Sequence, residues 1–501
     1  MFAAAIFIGA AQLFLLEPML AKMLLPRFGG APAVWATCVV FFQTALLAGY
    51  AYAHLLTTRL RGRHQVVLHL GLLAVCLAFL PIGIPDRLVP TSADQPAFAL
   101  LGILVLTAGL PFFMLSSTTP LLQRWFAAAG YLDSHDPYHY YAASNAGSLL
   151  ALFAYPVLVE PIFSLPVQSV IWAAGFCLWL LLLALCARQT WRLNTGALSS
   201  GAVSGPHRSL TTHQSPTHHS PVSAWTRARW LVLAFVPSSL MLGCTSYLSA
   251  DVASVPLMWI APLALYLLSF IVAFARATPA WVHRVMVVLL PLALALQLAN
   301  EGTMGLGTIL ATHLTTLFVA AMVCHGELAR SRPPARRLTE YYLWIAVGGA
   351  LGSCFNALVA PFLFSWVVEY PFALALAALL LPPLFPTTRR RILRIGNRVI
   401  PIALACLVGA VFLSNHHQFL QDWRVVHEER NFFGVYRVAS RADEKTYGLL
   451  HGHVWHGLQI DGGDPRQRRV PLLYYFPSGP VGQIFSAFTE RKANPTSPSS
   501  D

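Results

Sequence analysis

The chain turns on RQTWRLNTGALSSGAVSGPHRSLTTHQSPTHHSPVSAWTRAR, residues 188–229. Ser, Thr, Gly, Pro and His dominate this stretch, and no apolar periodicity survives in it. Such a segment cannot bury enough apolar surface to offset the entropy of ordering it, so it reads as a disordered, solvated linker. Very apolar blocks of similar size flank it, residues 1–187 and 230–398. A possible further span, 399–413, follows the second block. Then come a block of different character, 414–482, and a Pro/Ser-rich end, 483–501, that reads as disordered. The expectation is an all-α polytopic membrane protein of two halves joined by a linker, with a small C-terminal β module.

Composition supports this. Apolar residues make up 56% of the 501, charged residues only 11%, and mean hydropathy is +0.60. Soluble domains carry about 25% charged residues. A deficit sustained over this length excludes one large soluble core and makes the lipid bilayer the chain's main partner. The net charge of +13 would fit nucleic acid in a soluble protein. Here the basic residues fall in short loops between apolar runs, where they set membrane orientation, and no nucleic-acid partner is expected. The eight cysteines, Cys38, Cys76, Cys177, Cys186, Cys244, Cys324, Cys354 and Cys406, all lie in apolar runs and form no CxxC pair. They read as small helix residues, with no metal or redox site. The first apolar run begins at once, without a basic leader or a clear cleavage site, and reads as a retained span.

Apolar runs of near-spanning length number six before the linker: Phe2–Leu20, Ala33–Leu56, Val66–Ile82, Phe98–Ser117, Tyr141–Glu160 and Pro166–Ala187. Six more follow it: Trp230–Ser249, Leu257–Ala275, His283–Ala299, Leu306–His325, Tyr341–Leu363 and Val368–Pro386. Val399–Leu413 is the possible thirteenth, at the low end of spanning length. With the N-terminus inside, the inner loops hold Arg59, Arg61, Arg63, Arg124, the linker arginines, Arg276, Arg284, Arg330, Arg332, Arg336, Arg337 and the Arg389–Arg398 run. The outer loops hold only Lys22, Arg27 and Arg87. That asymmetry places the N-terminus and linker on the cytoplasmic side of the cell's inner membrane. If the thirteenth run spans, the tail lies on the periplasmic or extracellular side.

The halves look related. A TyrTyr pair at 140–141 precedes Gly147, and a pair at 341–342 precedes Gly348, with equal spacing. Each pair opens a span rich in small residues that closes at a proline, Pro161 or Pro361. Small residues let membrane helices approach closely. Two halves of even span number must be parallel repeats, the arrangement of the major-facilitator class.

Polar groups inside the membrane are costly and therefore informative. Glu17 lies in LEPMLAK with Pro18 and Lys22 beside it, and Gln12, Gln43, Asn145, Gln297 and Asn356 also fall in apolar runs. Glu17, Lys22 and Asn145 are the candidates for a substrate or proton path. The plainer reading pairs Glu17 with Lys22 and lets the amides bond between helices. Pro18 and the Pro26–Gly30 turn suggest a broken helix that could line a cavity. Glu160, Asp251, Glu327 and Glu369, at span ends, read as structural.

After Leu413 the pattern becomes β-like: Phe433–Val438 alternates, and Tyr447–Leu450 and Val454–Ile460 follow a polar turn at Arg441–Lys445. The stretches ERNFFGVYRV (429–438), LHG (450–452), HGLQ (456–459) and PLLYYFPSGPVG (471–482) resemble the β module that opens spermidine-synthase-type aminopropyltransferases. LEPMLAKMLLPRFGG (16–30), GYAYAH (49–54), YAASNAGS (141–148) and CHGELAR (324–330) are similar to the membrane-fused members of that group. The resemblance implies a transporter-like membrane region linked to polyamine metabolism. It also implies that Gln459 and Tyr474 sit near a substrate pocket, while Phe476 stands where the fused group has His.

Complete members of the family go on to a methyltransferase-like Rossmann domain that binds decarboxylated S-adenosylmethionine. This chain continues as QIFSAFTERKANPTSPSSD, without the strand, Gly-rich loop and helix such a ligand needs. Aminopropyl transfer by this chain alone is therefore not expected, and neither is a bound cofactor. Three readings stay open: a transporter-like protein for a polyamine or other small molecule, a membrane-anchored aminopropyltransferase completed by a separate catalytic subunit, and a non-catalytic scaffold or truncated relic. His451 and His453 share a strand face with His456 pointing away, so the histidines of the tail are not expected to hold a metal.

Overall fold

Apolar sequence in lipid must satisfy its backbone polar groups within each segment, which leaves the helix as the form for every long run. The computed structural model describes residues 1–60, 62–88, 95–128, 139–199, 222–251, 258–275, 281–299, 305–334, 337–385, 391–418, 423–441, 445–452, 454–461 and 463–493. The first half is α1 (Phe2–Phe28), α2 (Pro32–Arg59), α3 (Gly62–Cys76), α4 (Pro96–Ala128), α5 (His139–Ala154) and α6 (Leu165–Ser199). The second is α7 (Ala224–Asp251), α8 (Ile260–Ala275), α9 (Trp281–Ala299), α10 (Leu306–Arg330), α11 (Leu338–Cys354) and α12 (Glu369–Leu379). A thirteenth helix, α13 (Arg391–Gln418), leads to the strands β1 (Arg424–Asn431), β2 (Gly434–Arg441), β3 (Thr446–His451) and β4 (Val454–Ile460), and α14 (Pro480–Ala493) ends the described chain.

The two halves pack alike. In the first, α1 lies against α4, α5 and α6, and α2 against α4; in the second, α7 lies against α10, α11 and α12, and α8 against α10. The halves meet along two seams, α2 on α11 and α5 on α8, which exchange under the same correspondence. This is the two-bundle arrangement of the major-facilitator class, with α13 added against α9 and α12. The paired glycines explain part of it. A Cβ on Gly147 would lie 2.4 Å from the Phe7 carbonyl of α1, and one on Gly348 would lie 2.3 Å from the Leu231 carbonyl of α7. Both spans then widen into a π-helical turn, Tyr155–Val159 and Phe355–Val359, before closing in the short helices Glu160–Ile162 and Ala360–Leu363.

Gly147→Ala and Gly348→Ala should each lower stability by about 1–3 kcal/mol, because backbone must move to admit the methyl group. Gly71→Ala, where nothing lies within 4 Å, should not. Thermal unfolding of the purified full chain in detergent reads the difference.

Several expectations change. The interruption at 188–229 is helical at both ends, since α6 runs on to Ser199 and α7 begins at Ala224; residues 200–221 lie outside the described ones. A helix already nucleated in an apolar run extends into sequence that would not start one. Pro18 and Pro26 do not break α1, which stays helical to Phe28 and ends at Gly29 with φ 76 and its N–H on the Leu25 carbonyl. The thirteenth helix is longer than 399–413 and takes in Arg391, Arg394 and Arg398, whose long stems can carry their charges to water from a helix end. The end at 483–501 is helical as far as Ala493, with Pro480 at its start, and 494–501 lie outside the described residues.

The module is a four-stranded antiparallel meander, β1-β2-β3-β4. β1 was not legible because RVVHEERN lacks alternation, and it is held in place by pairing with β2 and by Arg437 Nε donating to Glu428 at 2.7 Å. Ala439 and Leu450 are fully buried, and Trp423 packs on Trp455 at 4.6 Å. His456 does not point away from His451. The β3–β4 register slips between Leu449 and Leu450, Leu450 facing Trp455 and Leu449 facing Gly457, so His456 is the extra residue and its ring lies 5.6 Å from that of His451. His453 lies outside the described residues.

Candidate functional site

The seam between the halves gathers polar and aromatic groups that a lipid-facing surface would not carry. On α2, Tyr50 and His54 are one turn apart and share a face. Tyr50 lies 6.3 Å from the Tyr342 ring of α11, and His54 Nδ1 lies 2.9 Å from the Thr339 hydroxyl. Higher on the same seam, Gln43 Oε1 is 3.2 Å from where a Cβ on Gly349 would stand. At the far end, Trp35 of α2 stacks on Trp259, just before α8, at 3.5 Å and 19°. These pairs join the two halves from one end of α2 to the other.

The three path candidates do not converge. Glu17 is 6% exposed and has no hydrogen-bond or ion-pair partner among the described residues. Lys22 is not its partner: the Lys22 ammonium pairs with Glu160, at the end of the α5 span. Sequence proximity suggested Glu17 because 160 is remote in the chain, but both helices end on the same face of the bundle. Asn145 is buried two residues before Gly147, which places it level with Phe7. Phe7 and Glu17 are about 15 Å apart along α1 at 1.5 Å per residue. The side chains of Gln297 and Asp251 lie outside the described ones.

The other span-end acids are held structurally. Glu327 of CHGELAR accepts from Arg229 Nη2 at 2.7 Å and Arg330 Nη1 at 2.6 Å, with His283 Nε2 at 3.9 Å. Arg227 pairs with Glu340 at 2.7 Å on the same face of the bundle. On the opposite face, Glu369 at the start of α12 takes a bidentate bond from Arg430 of β1, at 2.6 and 3.0 Å, and Arg430 also donates to the Trp366 carbonyl at 2.9 Å. The β module is thus docked on the end of the bundle away from the arginine-bearing helix ends, and α13 crosses from one end to the other.

In the module, Gln459 and Tyr474 take different partners. Gln459 Nε2 donates to the Arg468 carbonyl at 3.1 Å, and the Tyr474 hydroxyl lies 2.5 Å from His456 Nδ1. His451 stacks on Tyr436 at 4.5 Å and 10°, in space that Gly434 leaves open: a Cβ there would lie 2.0 Å from His451 Nε2. No group of three or more His, Cys, Asp or Glu placed to hold a metal occurs among the described residues.

Burial and then the neighbouring His456 hold the His451 imidazole below its usual pKa. Protonation therefore favours the unfolded module. Its contribution to stability is present above the unfolded value near about 6.5 and is lost as pH falls below that. Amide exchange in β2 and β3 should be faster at pH 5 than at pH 8 after correction for intrinsic rates, and His451→Gln should flatten the difference. Equal protection at both pH values would contradict this.

The seam tyrosines, the Trp35–Trp259 stack and the His54–Thr339 contact were not singled out as site residues from the sequence. The signal for Tyr50 and His54 was present in GYAYAH, as an i, i+4 pair on an apolar helix. Their partners across the seam carry no such signal.

No protein-family model matches the chain, and no curated protein matches it. Among solved structures it is similar to the human organic anion transporter TETRAN, at 14% identity over 82% of this chain and 98% of that one, with a TM-score of 0.42. It is similar to a bacterial homologue of the iron transporter ferroportin in an outward-facing state, at 15% identity over 83% and 100%, with a TM-score of 0.45. It is also similar to the inward-open xylose transporter XylE from E. coli, at 11% identity over 81% and 95%, with a TM-score of 0.44. These are likenesses of fold, and the two-half architecture stands on the packing within this chain.

Proposed function

We propose that this chain is a transporter-like membrane protein that moves a small organic cation, of the polyamine class, between two six-helix halves. The observation that carries the reading is Glu17, an acidic residue only 6% exposed in α1 and without a counter-charge among the described residues. An ionisable group so placed is retained at a cost, and a cationic substrate is the partner that offsets it. The polyamine class comes from the family resemblance. The seam contacts supply the surfaces along which the halves would part, and the positive-inside bias puts the N-terminus and linker in the cytoplasm with the β module outside. The test is counterflow of labelled putrescine and spermidine in proteoliposomes holding the full chain. Accumulation against unlabelled substrate supports the reading; no accumulation of either amine overturns the polyamine class.

A second reading makes the β module the docking piece of a membrane-anchored aminopropyltransferase with its nucleotide-binding part on another chain. It draws on apolar surface left exposed on β3, at Tyr447 and Leu449, and on the turn after β4, at Tyr474 and Phe476. Aminopropyl transfer to putrescine by the chain only after a second polypeptide is added would favour it over transport.

A further inference from the structure

We propose that the second half carries a sodium-ion site where the π-helical turn of the α11 span meets α7. The two π-turns occupy equivalent places in the two halves and are finished differently. In the first half, the Tyr155 hydroxyl donates to Gln168 Oε1 at 2.9 Å and Gln168 Nε2 donates to the Phe163 carbonyl at 2.7 Å, so the polar groups beside the turn are satisfied within the chain. In the second half, Asn356 is the second residue of the π-turn, where the first half has Pro156. Asn356 Nδ2 donates to Ser239 Oγ at 2.6 Å and to the Gly352 carbonyl at 2.9 Å, while Asn356 Oδ1, on a residue only 4% exposed, has no hydrogen-bond partner.

The neighbourhood is made of neutral oxygens. Ser238, Ser239 and Ser353 are fully buried. Ser238 Oγ donates to the Gly349 carbonyl at 2.9 Å and lies 3.2 Å from Ser353 Oγ. On the α11 side, a π-turn at Phe355–Val359 displaces carbonyls from the ordinary ladder. What is left over is the Asn356 Oδ1 acceptor, and an unpaired buried acceptor is costly, all the more where the surroundings are lipid and apolar side chains. The missing partner is therefore a donor or a cation.

Size and charge narrow it. The helices touch one turn away at backbone distance, since a Cβ on Gly352 would lie 2.6 Å from the Phe235 carbonyl, which favours a small occupant over an organic amine. Hydroxyl, amide and carbonyl oxygens are hard ligands, and with no carboxylate in the cluster they suit a monovalent ion better than a divalent one. Carbonyls turned aside from the helical ladder are among the ligands that some membrane transporters offer to sodium. The competing occupant is a buried water.

The experiment reads ion binding without any polyamine, so its failure is distinct from failure of the transport reading. The purified full chain is unfolded thermally at constant ionic strength in NaCl, KCl or choline chloride, and retention of radioactive sodium is measured by equilibrium dialysis. The expected result is a saturable rise in Tm in NaCl alone, sodium retained by the wild type, and at least tenfold weaker retention in Asn356→Ala and Ser239→Ala. Equal Tm in the three salts with no sodium retained overturns the site. If either variant does not fold, the wild-type dialysis still decides.

Discussion

Glu17→Gln should reduce polyamine counterflow by about tenfold to a hundredfold while leaving the protein folded. The size follows from chemistry. A hydrogen bond to a charged group contributes about 1.5–3 kcal/mol, and each 1.4 kcal/mol is a factor of about ten. The amide keeps the shape of the carboxylate and removes its charge. Folding should be spared because Glu17 has no hydrogen-bond or ion-pair partner among the described residues that would lose one. Lys22→Gln provides the contrast. Lys22 is occupied by Glu160, so its loss should lower stability and leave the substrate preference in place. Counterflow unchanged in Glu17→Gln would remove Glu17 from the path. A change in Tm as large as that of Lys22→Gln would make Glu17 a structural residue.

The second large effect concerns the joint between module and membrane. Arg430 and Glu369 are 9% and 1% exposed at the side chain, and two hydrogen bonds connect them. Removing one member of a buried pair strands the other charge and costs about 3–5 kcal/mol, whereas removing both costs far less. Arg430→Ala should therefore loosen the module from the bundle, with faster hydrogen exchange in β1 and in the first turn of α12. Arg430→Ala combined with Glu369→Leu should recover most of the protection, a coupling that a double-mutant cycle isolates. Unchanged exchange in the single variant would mean that the sheet is held to the bundle by other contacts. The exposed pairs of the module, such as Arg468 with Asp461, are worth much less because water screens them.

These two sites sit at opposite ends of what can be read from a sequence. Glu17 was visible at once, because a carboxylate in an apolar run is expensive wherever the run lies. Arg430 was visible only as part of a strand motif. Its partner lies 61 residues earlier, at the start of a helix, and nothing in either local stretch points to the other. The same holds for Lys22 and Glu160, which are 138 residues apart, and for His54 and Thr339, which are 285 apart.

By itself the sequence determined that the chain is a helical membrane protein, where its twelve apolar segments and a possible thirteenth lie, and that a β module follows them. Those are properties of local composition: lipid selects a helix for any run that is apolar enough and long enough, whatever its neighbours do. The tertiary structure alone decided which polar groups are paired and which are left over. It gave Lys22 to Glu160 rather than to Glu17, turned His456 toward His451 through a bulge, extended α6 beyond the expected membrane boundary, and left Asn356 Oδ1 buried without a hydrogen-bond partner among the described residues. Pairing depends on where helix ends and strand registers fall in space, and periodicity along one segment carries no record of the segment it meets.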